Sequence, residues 1–345
     1  MTLPTSAVPD KLEAYRRARG AAVDWLLGHM NADGSIGDPR EGYFFYRAPW
    51  TFASAGQTAT ATAVCGWIRR NMLTPRGQIA GPYRLVNDAY AYRDATLLVG
   101  AHMAMQYDLS YGLLPGLLAW QDPNSGGSPN DRQVDGAPSD NMDIPYSCGT
   151  GFAFLQVGLL DRARHVYRFL HALYAAQREL PHRFYYAWSR THQRPIEAFP
   201  AEQQFWYVVD NAADRRQRWT VGGIAAGFLC RLYLADPQPE YLALAREYQS
   251  FSMGATQHQF KYAQVCKSGW GSSLLYQITG EDEYLDWTCR MGDWFVDRQL
   301  PDGHWYWDAY TTRGAQIELT LEFAMHLDTL SGSLASRLSA AAAGL

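Results

Sequence analysis

Lysine is nearly absent from this chain of 345 residues, which carries only Lys11, Lys261 and Lys267. With a formal net charge of −4, no basic field exists to attract nucleic acid or anionic lipid. The five cysteines are odd in number and never spaced as Cys-x-x-Cys. A disulfide framework or a structural zinc site is therefore not expected.

Long apolar runs are also missing. No stretch reaches the roughly 20 residues of a membrane span, and residues 1–10 lack the basic start and apolar core of a signal peptide. These absences predict a cytoplasmic protein without a membrane span. A small-molecule substrate is expected and a homo-oligomer is left open.

Hydrophobic residues are abundant. They make up 47% of the chain, aromatic residues 14% and charged residues only 19%. This composition predicts a large buried core and excludes a disordered chain.

Two kinds of helix alternate along the sequence. The first kind has an apolar stripe of period 3.6 with charged positions, typical of an outer layer, and is predicted at 11–30, 57–73, 108–121, 160–178, 238–253 and 281–299. The second kind is rich in Gly, Ala and Ser, which indicates burial on most sides, and is predicted at 43–55, 88–106, 144–158, 219–235, 266–278 and 315–331.

The connections between these helices also fall into two classes. Links from a buried helix to an outer helix are short, whereas links in the other sense are long, the longest running from Glu179 to about Arg218. The pattern predicts an all-α fold, an (α/α)6 toroid of six helical hairpins, with a functional site at the end that gathers the long loops. An open solenoid of the same hairpins is the alternative. We expect an N-terminal extension at 1–10, one toroid at 11–335 and a tail at 336–345.

Several helix ends share a polar residue followed by a glycine-containing turn. Gln299-Leu-Pro-Asp-Gly-His-Trp305 resembles the "QW" turn of squalene–hopene cyclases and their prenyltransferase relatives, and Asn31-Ala-Asp-Gly-Ser35 is a degenerate copy. The resemblance implies a terpenoid-cyclase-like toroid. The Asp-x-Asp-Asp acid motif of those cyclases is absent. The same toroid serves glycoside hydrolases, sugar epimerases, polysaccharide lyases and linalool dehydratase/isomerase, so the fold alone does not choose a reaction.

Acidic residues on the buried helices are the main catalytic candidates. Glu318 and Glu322 lie four residues apart on one face of an otherwise apolar helix, where unpaired carboxylates are costly. Asp94 is a second candidate for a general acid whose pKa is raised by burial. His102 lies deeper on the same helix and is either structural or catalytic.

The segment from Asp140 to Gly151 is the densest in reactive side chains. Pro145 favours a helix start there, which makes Asp143 either an N-cap or a catalytic acid. Cys148 follows one turn later and is either a small buried hydrophobe or a catalytic residue. Asp140 and Asp143 partly match the metal-binding carboxylates of class I terpene synthases. With Asp210 and Asp214 they form a candidate Mg²⁺ site, the one cofactor considered. Arg215 or Arg216 would then contact a diphosphate.

Aromatic residues crowd the predicted helix mouths. They suit either carbocation stabilisation or stacking on sugar rings. Lys267 opposes a helix dipole unless it meets an acid or an anionic ligand. The predicted substrate-binding residues are Tyr46, Trp50, Tyr92, Tyr146, Trp206, Lys267, Trp270 and Trp305.

Three functions are compatible with these residues. The first is a cyclase, isomerase or lyase acting on an isoprenoid or similar polyene by acid–base or carbocation chemistry. The second is a carbohydrate-active hydrolase, epimerase or lyase, which would place several charged residues in the site. The third is a non-catalytic binding scaffold, in which every buried carboxylate is ion-paired and no pKa is perturbed.

Overall fold

The computed structural model describes residues 7–74, 79, 90–129 and 139–343. Within these ranges twelve α-helices dominate the chain. In chain order they are α1 (Val8–Leu27), α2 (Ala48–Ser54), α3 (Thr58–Asn71), α4 (Tyr90–Met103), α5 (Tyr107–Trp120), α6 (Ile144–Gln156), α7 (Leu160–Ala175), α8 (Thr220–Ala235), α9 (Pro239–Gly254), α10 (Ser268–Thr279), α11 (Asp282–Arg298) and α12 (Arg313–Ala343). In the same ranges, none of the helices combines the length and the apolar character that a bilayer crossing requires.

The predicted alternation of helices is confirmed, with two differences in extent. The first buried helix is expected at 43–55, but α2 spans only Ala48–Ser54, because residues 45–47 form a turn and Pro49 occupies the first helical turn. The last helix is expected to stop near residue 331, but α12 continues to Ala343. Its alanine-rich end favours helix strongly enough to carry it past Gly332.

One compact unit comprises Met1–Asp88, Arg93–Gly116 and Glu281–Leu345. Within it, α1 packs against α11 and α12, and α12 also contacts α2. The turn after α11 ties these helices together. Gln299 donates through Nε2 to the carbonyls of Ala18 on α1 (2.7 Å) and Gly303 (2.8 Å). Trp305 is fully buried and donates through Nε1 to the carbonyl of Phe295 (2.9 Å). The QW-like turn therefore cross-links this unit.

The other compact unit comprises Ala89–Tyr92 and Leu117–Gly280. Here α8 packs between α6 and α10, while α7 and α9 pack on this row. Every residue from Val221 to Cys230 of α8 is buried, as its run of small residues predicts. At Gly223 a Cβ would overlap the carbonyl of Lys267, so the close contact of α8 with the start of α10 requires glycine.

Among the described residues of this second unit, five short strands lie in the long links. They are β1 (Asn141–Asp143), β2 (Arg183–Tyr185), β3 (Ala187–Ser189), β4 (Arg194–Pro195) and β5 (Val208–Asp210). All pairs are antiparallel: β3 lies between β1 and β4, with Met142 opposite Trp188, and β2 pairs with β5, with Phe184 opposite Val209. The ladders satisfy backbone groups of the long link between α7 and α8.

We expect Gly303→Ala to destabilise the protein more than Gly56→Ala, although both glycines have a positive φ (101° and 77°). Each change forces an L-residue into the left-handed region, at a cost of about 1–2 kcal/mol. At Gly303 the new Cβ would also overlap the carbonyl of Ala21, whereas Gly56 has open space around it. Urea unfolding of both variants measures the difference, and equal losses of unfolding free energy would contradict the proposed cross-linking turn.

Candidate functional site

Three ionisable side chains share one face of α12. Glu318, Glu322 and His326 are spaced by four residues, so they follow each other along successive turns. Arg47, in the turn before α2, places Nη2 3.4 Å from Oε2 of Glu322 and 3.8 Å from Oε1 of Glu318. The first compact unit therefore contains an acid–base cluster in which one guanidinium meets two carboxylates.

The surroundings of Arg47 extend the cluster. Its Nη2 also donates to the hydroxyl of Tyr46 (3.1 Å), and the guanidiniums of Arg47 and Arg93 each lie 5.0 Å from the centre of the Tyr46 ring. Nε2 of His326 lies 3.6 Å from Oε1 of Glu322, and the His326 ring stacks on Phe295 with 6.2 Å between centroids. Arg47 and His326 thus contact the carboxylate pair, while Tyr46 and Arg93 lie around Arg47.

The two carboxylates are not equivalent electrostatically. Burial raises the pKa of Glu318 well above its usual range, and repulsion from Glu322 raises it further. The closer contact of Arg47 is to Glu322, so its charge offsets that repulsion incompletely. The side chains of Glu318 and Glu322 remain 17% and 13% exposed. Glu318 is therefore a weaker acid than an ordinary glutamate, and part of its side chain is exposed.

A separate cluster lies at the start of α6 in the second compact unit. Asp143 caps this helix, since its Oδ1 accepts from the backbone N–H of Tyr146 (3.0 Å), which confirms the predicted cap. Its Oδ2 accepts from Nη1 of Arg218 (2.9 Å) in a buried ion pair. The Arg218 guanidinium lies 4.2 Å from the centre of the Trp206 ring and 5.7 Å from that of Tyr146. Asp143 therefore serves as an N-cap and as the anchor of a cation–π stack.

Cys148, one turn further along α6, is fully buried. Burial raises the pKa of its thiol well above the usual value, and the charge of Asp143 adds to the effect. A thiol in this environment stays protonated at neutral pH, which disfavours the role of a nucleophile.

The four aspartates of the candidate Mg²⁺ site each have protein partners. Asp140 accepts from Ser189 Oγ (2.6 Å) and the backbone N–H of Thr191 (2.7 Å). Asp210 pairs with Arg183 (3.3 Å) and Asp214 with Lys261 (2.6 Å). With Asp143 bound to Arg218, all four carboxylates are compensated by the chain itself. Magnesium binding at these aspartates stays a prediction.

The remaining predicted residues have varied surroundings. His102 contacts Ser110, Tyr107 and Tyr111 at the corner between α4 and α5, and burial lowers the pKa of its ring. Asp94 and Trp50 are half-buried. The others make ring contacts. Trp270 stacks on Phe152 (4.6 Å between centroids) and Tyr92 lies edge-on to Tyr146 (6.3 Å between centroids). Lys267 Nζ lies 6.0 Å from the centre of the Tyr92 ring.

Sequence reasoning did not include Arg47, His326 or Arg218 among the candidates. His326 can be identified from the sequence, because it continues the four-residue spacing of Glu318 and Glu322. Arg47 could have been singled out as a lone charge beside the aromatic run of residues 43–46. Arg218 carried no local signal, since its partner Asp143 is 75 residues away in the chain.

Comparison with solved structures identifies the fold. A D-mannose isomerase matches with a TM-score of 0.62 and 14% identity over 94% of this chain and 97% of the other. The type II terpene cyclase MstE from Scytonema matches with a TM-score of 0.58 and 14% identity over 93% and 99%. A family 76 glycoside hydrolase from a bovine Bacteroides thetaiotaomicron strain matches with a TM-score of 0.59 and 12% identity over 93% and 78%.

These three structures are α/α-toroid enzymes, so the predicted all-α toroid fold class is confirmed. No protein-family model matches the chain, and no curated protein matches it in sequence. At 12–14% identity the likeness establishes the fold and leaves the reaction to be argued from the side chains.

The raised pKa of Glu318 predicts a pH-dependent stability difference between the wild type and Glu318→Gln. The folded protein holds this proton above pH 4.5, the ordinary value, whereas the unfolded chain releases it. The contribution of protonated Glu318 to the free energy of unfolding is therefore complete below that pH and is lost as the pH rises. Because glutamine stays neutral, the stability of Glu318→Gln relative to the wild type should increase from pH 5 to pH 8.

Urea unfolding at several pH values measures this trend. Glu13→Gln, a change at an exposed position of α1, is the control and should leave the pH dependence as in the wild type. A constant difference between Glu318→Gln and the wild type would show that Glu318 is ionised in the folded state.

We expect Cys148 to resist alkylation in the folded protein, because its thiol is buried and protonated. Native protein treated with iodoacetamide at pH 7.5 should show no carbamidomethyl group at Cys148 by peptide mass spectrometry. The same treatment in 6 M guanidinium should label it fully. Rapid labelling of the native protein would restore Cys148 as a candidate nucleophile.

Proposed function

We propose that this chain is an enzyme that moves protons on a carbohydrate substrate, as an isomerase or epimerase. The observation that carries the proposal is the unequal pair on α12, in which burial and Glu322 raise the pKa of Glu318 while Arg47 lies closest to Glu322. A neutral acid beside a compensated carboxylate can donate one proton and accept another near neutral pH.

The roles of the side chains follow from this asymmetry. Glu318 donates a proton to the carbonyl oxygen of an open-chain aldose. Glu322, contacted by His326, removes the proton from the adjacent carbon to give an enediol. Return of the proton to the former carbonyl carbon, with loss of the hydroxyl proton from the neighbouring oxygen, yields the ketose. Return to the original carbon on the other face, with the proton on the former carbonyl oxygen going back to Glu318, yields the epimer, and both outcomes are redox-neutral.

The same geometry favours this reaction over two others. Glycoside hydrolysis requires two carboxyl groups that flank the scissile bond, whereas Glu318 and Glu322 lie on one helix face and share one guanidinium. Protonation of an alkene requires a strong acid, and a raised pKa makes Glu318 a weaker one. A pure binding scaffold is also disfavoured, because it gives no reason for a perturbed carboxyl group.

Two of the similar structures support a carbohydrate substrate. One is described as a D-mannose isomerase and another as a family 76 α-mannanase. At this level of identity they agree with the proposal without carrying it.

The isoprenoid hypothesis remains the second candidate function. Aromatic contacts in the second compact unit favour this hypothesis. There Phe152 stacks on Trp270, and Tyr92 lies edge-on to Tyr146. A cyclase of similar fold has been solved with geranylgeranyl dihydroxybenzoate. Location in the cytoplasm and a small-molecule substrate are part of both proposals.

The proposal predicts that the protein exchanges the proton at C2 of an aldohexose with solvent. Incubation of D-mannose, and then of other aldohexoses, with the wild type in D₂O should remove the C2 proton signal in NMR spectra and produce ketose or epimer. Glu318→Gln should slow the exchange by about 10²–10⁴-fold, the usual contribution of a general acid.

Glu13→Gln is the matched control and should keep the wild-type rate, because it makes the same chemical change at an exposed site. The proposal fails if the wild type exchanges no proton on any aldohexose, or if Glu318→Gln exchanges it at the wild-type rate. Turnover of a polyene alcohol in place of the sugars would support the second candidate.

A further inference from the structure

An exposed tryptophan in the link between α7 and α8 packs against a cation and a second aromatic ring. Trp206 is 45% exposed and ends a short 3-10 helix, Ala201–Trp206, that has no buried residue. One face of its indole ring is covered by the guanidinium of Arg218 at 4.2 Å from the ring centre. Phe205 meets the ring edge-on at 5.0 Å between centroids.

The cation below this ring is held rigidly. Arg218 is nearly buried and its Nη1 donates to Asp143, whose side chain is fully buried and caps α6. A planar guanidinium bound to a fixed carboxylate loses little further freedom when an aromatic ring stacks on it. The orientation of Trp206 is therefore fixed through Arg218 by Asp143 at the start of α6, in addition to the contacts within the link itself.

The rest of the link is also anchored next to this stack. The hydroxyl of Tyr186 donates to the carbonyl of Phe205, and Asn141 Nδ2 donates to the hydroxyl of Tyr207 (2.7 Å). Both residues that flank Trp206 are thus tied to strands of the second unit or to the residues before α6. A preorganised aromatic surface binds a ring with little ordering cost.

The chemistry around Trp206 matches one class of ligand. Glu202, Gln203 and Gln204 precede it in the same 3-10 helix and are exposed or half-buried. A pyranose presents an apolar C–H face together with a rim of hydroxyl groups, and it needs an aromatic surface bordered by hydrogen-bonding side chains. A polyene would instead require an apolar border.

We propose that Trp206, stacked on the Arg218–Asp143 ion pair, is a saccharide-binding platform in the second compact unit. This inference rests on the proposed function for its substrate class, but it concerns binding and is independent of the acid–base cluster on α12. Trp206 contacts the ligand, whereas Arg218 and Asp143 are positioning residues that fix the indole.

Isothermal titration calorimetry with methyl α-mannoside and with mannobiose tests the platform. We expect Trp206→Ala to weaken binding about five- to tenfold, as the loss of one ring contact does. Trp206→Phe keeps an aromatic face and should stay within about threefold of the wild type. Tyr306→Ala removes an aromatic residue of matched exposure, 44%, and should bind as the wild type does.

Thermal melting of each variant accompanies the titrations, and Trp206→Phe supplies the decisive comparison if Trp206→Ala does not fold. Wild type that binds neither saccharide, or Trp206→Ala with wild-type affinity, would overturn the platform, as would a folded Trp206→Phe that no longer binds. The proposed function is tested separately, by proton exchange in the wild type and in Glu318→Gln, so its failure can be told apart from failure of the platform. Saccharide binding that depends on Trp206 without any proton exchange would retain the platform and reject the isomerase.

Discussion

One guanidinium between two carboxylates is the constraint on which the candidate site depends. Two ionised glutamates a helical turn apart on a largely buried helix repel each other and lose hydration. Arg47 lies closer to Glu322 than to Glu318, so the repulsion from Glu322 adds to burial in raising the pKa of Glu318. This electrostatic imbalance makes the two neighbouring carboxylates unequal, which is the basis of the proposed proton transfer.

The rest of the first compact unit fixes the distance between these charges. α12 packs on α1 and α2, and Thr51 of α2 donates through Oγ1 to the carbonyl of Leu321 (2.9 Å). Because Arg47 directly precedes α2, this hydrogen bond links the position of the guanidinium to the helix that carries both glutamates. The QW-like turn holds α11 against α1 through Gln299. Packing and acid–base chemistry are therefore coupled through backbone contacts.

Local features of the sequence predict the helices and the acidic residues of the candidate site, but not the arginines that pair with them. Apolar periodicity and glycine-containing links are short-range signals, and they placed most helix boundaries within a few residues. The spacing of Glu318 and Glu322 and the cap at Asp143 are equally local. Arg47 and Arg218 acquire their roles through partners about 270 and 75 residues away, and such pairing depends on the tertiary fold. The alanine-rich end that carries α12 to Ala343 is also a local signal, and it outweighs Gly332.

The anchors of the link between α7 and α8 have a consequence for how this protein can change. Ser189 binds Asp140, and Arg218 binds Asp143, so both ends of the exposed segment are pinned to the residues just before α6. Residues 190–200, between these anchors, are exposed or half-buried, so they can exchange side chains while the helices keep their places. Evolution or an engineer can thus vary this surface segment without changing any residue of α12.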